Sequence, residues 1–139
     1  MSDPGSIIIF IVPFGFAIVI AVFIIALRGK KKLHPLEKGR TPLFADNSCG
    51  GWIGAVRSTY PFVRVSIYED FLVVGMLRGP ILLRYDEIVS AVVEKVYFTR
   101  GLVITHRNGE APSRIVIRSQ KLGEMQKVIA GRLETVRQK

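Results

Sequence analysis

The chain has 139 residues, 49% of them hydrophobic and 22% charged, with a formal net charge of +9. Setting aside an apolar N-terminal stretch leaves about 110 residues, enough for one small domain and too few for two. The basic excess forms no nucleic-acid-binding motif, which argues against nucleic acid as a partner. The single Cys49 excludes an intramolecular disulfide and agrees with a reducing compartment.

Residues 1–6 form a short N-terminus with one acid, Asp3, and no base. From Ile7 to Leu27 no side chain is charged or strongly polar. A helix of ~21 residues spans about 31 Å, close to the hydrocarbon thickness of a bilayer. A cleaved signal peptide fits poorly, because the n-region lacks Lys and Arg and no Ala-x-Ala site follows. A buried helix of a soluble core rarely stays apolar all round for so long. The expectation is therefore one transmembrane helix over residues 7–27. Basic residues flank only its C-terminal end, so the positive-inside tendency puts the N-terminus outside and the C-terminal domain in the cytoplasm. The expected location is the cell (inner) membrane, single-pass. Pro13 is predicted to kink the span. Pro13, Gly15, Ala17 and Ala21 offer a face on which a partner helix could pack closely.

Residues 28–48 read as a basic juxtamembrane segment and linker. From Arg28 to Arg40 there are six basic residues and one acid, Glu37. Arg28, Lys30, Lys31 and Lys32 are the candidate lipid contacts, since each base near an anionic leaflet contributes about 1 kcal/mol. Leu33 to Ser48 holds Pro35, Gly39 and Pro42 without sustained periodicity, so it is predicted to be a leash.

Residues 49–139 read as one domain. Gly50-Gly51 has no Lys-Ser or Lys-Thr after it and is not a phosphate loop. Trp52 is read as an early core residue, with an interfacial anchor as the alternative. A short strand is predicted around Trp52 to Arg57. Val63, Val65 and Ile67 alternate with polar or aromatic neighbours, giving a strand that ends at Tyr68-Glu69-Asp70. Strands follow over 71–77, 81–85, 88–98, 102–106 and 114–118. Asn108-Gly109 marks a hairpin. After Ser119, a candidate N-cap, Leu122, Met125, Val128, Ile129, Leu133 and Val136 fall on one helical face. The fold class is membrane-anchored α+β: a transmembrane helix, then a curled antiparallel sheet of six or seven strands capped by a C-terminal helix.

The stretches "ILLRYDEIVSAV" (Ile81 to Val92), "GLVITHRNGE" (Gly101 to Glu110) and "SRIVIRS" (Ser113 to Ser119), followed by a helix, carry a resemblance. In this order they resemble the bacterial pleckstrin-homology-like domains, close to the GRAM-type modules, over roughly residues 61–133. The resemblance implies binding rather than catalysis. Phosphoinositide-binding members carry several Lys and Arg in the first hairpin loop. Here the candidate loop, Tyr68-Glu69-Asp70, is short and acidic, which argues against specific inositol-lipid recognition.

No catalytic, metal-ligating or cofactor-binding motif is visible. His34 and His106 lack a ligand partner at useful spacing, and Asp86-Glu87 and Glu69-Asp70 read as solvated turns. The chain is expected not to be an enzyme, to carry no cofactor and to have no small-molecule substrate. Arg64, Arg84, Arg107, Arg114 and Arg118 lie in or beside strands, mostly opposite in parity to the aliphatic residues. They are candidates for a face that docks an anionic partner, weighed against ordinary solvation of a sheet exterior. The expected partners are membrane lipids and other membrane-protein subunits. The expected function is an anchored interaction module, an accessory or scaffolding subunit of a larger membrane complex. The alternative is a peripheral domain that senses anionic lipid.

Overall fold

Alternating aliphatic residues from Val63 onward need a second apolar layer, and a strongly bent antiparallel sheet supplies it by folding over on itself. In a computed structural model, which describes residues 4–30, 32–76 and 78–139, seven strands form one sheet. They are β1 (Phe44–Ile53), β2 (Val56–Ile67), β3 (Phe71–Met76), β4 (Gly79–Arg84), β5 (Ile88–Val96), β6 (Thr99–His106) and β7 (Arg114–Arg118). Two helices flank them, α1 (Pro4–Lys30) and α2 (Leu122–Arg137).

The sheet order is β4-β3-β2-β1-β7-β6-β5, so β1 pairs with both β2 and β7 and holds the two halves together. Register shifts on either side of Cys49 bend β1. Gly51 lies at the bend with φ 151°, and a Cβ there would sit 1.9 Å from the Val116 carbonyl oxygen. Only glycine permits that approach. The inward faces of β1 to β7 and α2 bury one apolar cluster that includes Val63, Val65, Leu83, Leu102, Ile104 and Ile117. α2 contributes Met125, Ile129 and Leu133 to it. At roughly 1.5–3 kcal/mol per buried large side chain, these three anchor the helix against the cost of Gly123 and Gly131.

Several expectations change. The predicted linker is largely built into the domain. β1 starts at Phe44, and Pro35–Glu37 forms a 3-10 turn with Glu37 buried. The bulged strand has no clean period, and Glu37 is buried because it meets a cation. The short strand around Trp52 to Arg57 is instead the turn between β1 and β2, at Gly54 and Ala55. This is the first hairpin, and Tyr68-Glu69-Asp70 is the second turn. The predicted strand 88–98 breaks at Tyr97, whose φ is +54°, and β6 begins at Thr99. Ser119 is not the N-cap. That position falls to Lys121, whose side chain makes no cap hydrogen bond. The Ser119 hydroxyl instead donates to buried Asp46 and accepts from the Lys121 N–H at 2.9 Å.

α1 runs through Pro13 as one helix of 27 residues. Its side chains are described from Val12 to Ile25. Among the described residues no helix is long and apolar enough to cross a membrane. The predicted span, residues 7–27, extends beyond that described stretch at both ends.

Candidate interaction surface

The expected arginine face does not form. Arg64 has the outward parity of β2, yet it is only 4% exposed because residues 32–37 lie over it. Its Nη1 donates to Glu37 Oε1 at 2.8 Å and its Nη2 to Glu37 Oε2 at 2.7 Å, a two-pronged pair. Nη2 also donates to the Lys32 carbonyl at 2.9 Å, and Tyr68 Oη donates to Glu37 Oε1 at 3.1 Å. Gly75 faces Arg64 across the ladder, and a Cβ there would lie 2.5 Å from Arg64 Cγ. Burial alone would raise the Glu37 carboxyl. The Arg64 hydrogen bonds, the His34 N–H, the Arg64 charge and the Tyr68 hydroxyl together hold it below its ordinary value.

The other arginines scatter. Arg84 lies 3.7 Å from Asp86 and Arg114 lies 3.6 Å from Glu94, both exposed. Arg107 is exposed in the loop after β6. Of the juxtamembrane bases, Lys31 and the side chains of Arg28 and Lys30 lie outside the described residues, and Lys32 is exposed. On α1, Pro13, Ala17 and Ala21 recur every fourth position and share a face, whereas Gly15 lies about 200° round the helix from Pro13. Phe23 touches the domain, its ring 6.3 Å from that of Phe62.

What does converge is an aromatic and basic surface on the outside of β1, β6 and β7. Trp52 does not join the main core. It packs outward on Val96, Val103 and Val116. Tyr97, at the β5–β6 hairpin tip, lies 5.4 Å from it. The Arg57 and Arg118 guanidinium carbons sit 5.6 and 5.7 Å from the Trp52 ring centre, and Arg118 is 5.9 Å from that of Tyr60. Burial pushes the Tyr60 phenol up, partly offset by Arg118. A hollow of about 330 Å³ opens between Trp52, Arg57, Tyr97, Phe98, Thr99 and Arg118. Phe98 at its rim is 95% exposed. Of these residues only Trp52 and Arg118 stand out in the sequence. The available signal is Tyr97-Phe98, an aromatic pair near the junction of two strands, but its strand propensity makes it read as the end of the strand over 88–98.

His106 is positioned for structure. Asn108 N–H donates to its Nδ1 at 3.1 Å, which leaves Nε2 to donate to the Pro112 carbonyl at 2.6 Å. Among the described residues no three His, Cys, Asp or Glu side chains are grouped to hold a metal. Asp46 and Cys49 are buried together at the β1 bulge, with the thiol donating to the Asp46 carbonyl at 3.7 Å. Burial would raise Asp46, but the Ser119 hydroxyl, the Ser48 N–H and Cys49 lower it.

No family model matches the chain, and no curated protein sequence does either. Solved structures do resemble it. The Vps36 N-terminal PH domain superposes with a TM-score of 0.55 at 12% identity, covering 80% of this chain and 90% of that one. A DH/PH fragment of PDZRHOGEF, in a complex with human RhoA, gives 0.49 at 13% identity over 79% of this chain and 36% of that one. At such identities the first match shows the fold alone. The seven-stranded sheet and closing helix are a pleckstrin-homology fold.

Proposed function

From this fold as premise, we propose that the chain is a single-pass membrane protein in which α1 is the anchor. Its pleckstrin-homology domain serves as an interaction module at the bilayer surface, an accessory or scaffolding part of a larger membrane assembly. The apolar run from Ile7 to Leu27, followed by Arg28, Lys30, Lys31 and Lys32, supports the anchor and a cytoplasmic domain. The lack of any evident catalytic motif in the sequence favours binding over chemistry.

The observation that carries the reading is the join between helix and domain. Phe23 meets Phe62, the Lys32 carbonyl accepts from Arg64, and the Glu37 carboxylate is enclosed against Arg64 and Tyr68. A tether meant only to retain a domain needs no such contacts. Alkaline extraction of membranes and copurification in mild detergent test the proposal. Release by alkali sinks the anchor, and a chain that always purifies alone counts against the subunit role.

The second reading is a domain that senses anionic lipid, and the exposed surface around Trp52 and Phe98 favours it. Residues 32–139, which keep Glu37 with Arg64, should then float with anionic vesicles and not with neutral ones. Equal behaviour with both removes this reading.

A further inference from the structure

The β5–β6 hairpin tip breaks three local rules of a soluble sheet. Phe98 is 95% exposed and Tyr97 75% exposed. Tyr97 holds a φ of +54°, where a residue with a Cβ is strained and glycine or asparagine is usual. Next to the tip, Lys95 and Arg100 face each other across the ladder, a like-charge pair that opposes pairing in water. A tip selected only for folding would carry polar turn residues.

The exposed rings and the paired bases both become favourable at one kind of surface. Aromatic rings gain free energy at the headgroup level of a bilayer, where their bodies meet acyl chain and their edges stay wet. Lys95, Arg100, Arg57 and Arg118 gain from anionic headgroups. The tip also continues a row of contacts that starts at the helix: Phe23 on Phe62, Tyr60 two residues before it, Arg118 over Tyr60 and Trp52, and Trp52 on Tyr97.

We infer that the Tyr97-Phe98 tip enters the headgroup layer of an anionic bilayer, making a second membrane contact apart from α1. The inference rests on the anchor reading for its geometry. Aromatic insertion supplies the apolar part of this contact, and the four bases supply its preference for anionic lipid. With the helix and tip both seated, the domain has a fixed tilt on the membrane.

The test places an environment-sensitive fluorophore at Phe98→Cys in the full chain, with Cys49 buried and unreactive, and a control label at Glu69→Cys in the β2–β3 turn. Labelled chains are assembled into nanodiscs of neutral lipid and of neutral lipid mixed with phosphatidylserine. The position-98 emission is expected to shift to the blue in the anionic discs and to be quenched by nitroxide carried near the headgroups. The position-69 emission should stay at its aqueous wavelength. Arg57→Gln with Arg118→Gln should reduce the difference between the two lipid compositions. Assembly into discs with an aqueous signal at position 98 in both lipids overturns the inference and leaves the anchor intact. Failure to assemble sinks the anchor reading. The tip then stands or falls on whether the same labelled chain floats with anionic vesicles and shifts to the blue. A signal shielded only in native membranes with their proteins assigns the tip to a protein partner and overturns the lipid contact.

Discussion

Replacing Glu37 by Leu should be the most damaging single change outside the apolar core. Glu37 receives two charge-assisted bonds from Arg64 at 2.7 and 2.8 Å, one from Tyr68 at 3.1 Å and one from the His34 N–H at 2.6 Å. Both ionic side chains are almost wholly enclosed, at 5% and 0% exposure. The substitution takes away the Glu37 carboxylate while the guanidinium stays buried, with the Lys32 carbonyl and Ser66 hydroxyl among its remaining contacts. Breaking one side of such a buried pair costs about 3–5 kcal/mol. For a domain of this size that lowers Tm by at least about 12 °C. Thermal and urea unfolding followed by circular dichroism and by the fluorescence of Trp52, the only tryptophan, measure it. The double variant Glu37→Leu with Arg64→Met removes both charges and should recover most of the loss, because desolvating the pair offsets much of its attraction. A single substitution costing less than about 1 kcal/mol would refute the reasoning, since it would mean water reaches the pair.

Other outcomes follow from the same packing. Glu37 and Asp46 both have lowered folded values relative to 4.5 and 3.8, so each contributes stability that is complete above those values and lost as pH falls through the folded ones. Unfolding midpoints should therefore fall as pH drops below 4.5, and Glu37→Gln should flatten that slope. Gly75→Ala should destabilise by about 1–3 kcal/mol by pushing Arg64 from its seat, measured by urea midpoint. Gly131→Ala should stabilise by up to about 1 kcal/mol, because an added Cβ meets nothing within 4 Å on the exposed side of α2. Ile129→Ala, at a fully buried site, should cost about 2–5 kcal/mol in the same assay.

Elements with a clean period were readable from the chain. β2 after Pro61, β3, β7 and the apolar face of α2 lie where the spacing of Val63, Val65, Ile67, Met125 and Ile129 put them. Two kinds of feature were not readable. β1 is bulged at Cys49, which destroys alternation, so its first half looked like linker. Burial of Glu37 and Arg64 depends on a pairing 27 residues apart that no local window contains. The candidate surface was hidden for a related reason. Tyr97 and Phe98 have strong strand propensity, and only tertiary context makes them a turn. Trp52, Arg57 and Arg118 meet there because β1 pairs with β2 on one side and β7 on the other.

The contact of Phe23 in α1 with Phe62 in β2 has a mechanical consequence. Because the segment from Lys32 to Glu37 is also held to Arg64, a turn of α1 and the sheet as one body would work like a crank, with the helix as shaft and the domain as arm. A neighbour that grips the Ala17 and Ala21 side of the shaft would set the compass bearing of the whole arm. Rolling the shaft by one residue, about 100°, would swing the Trp52 side through the same angle.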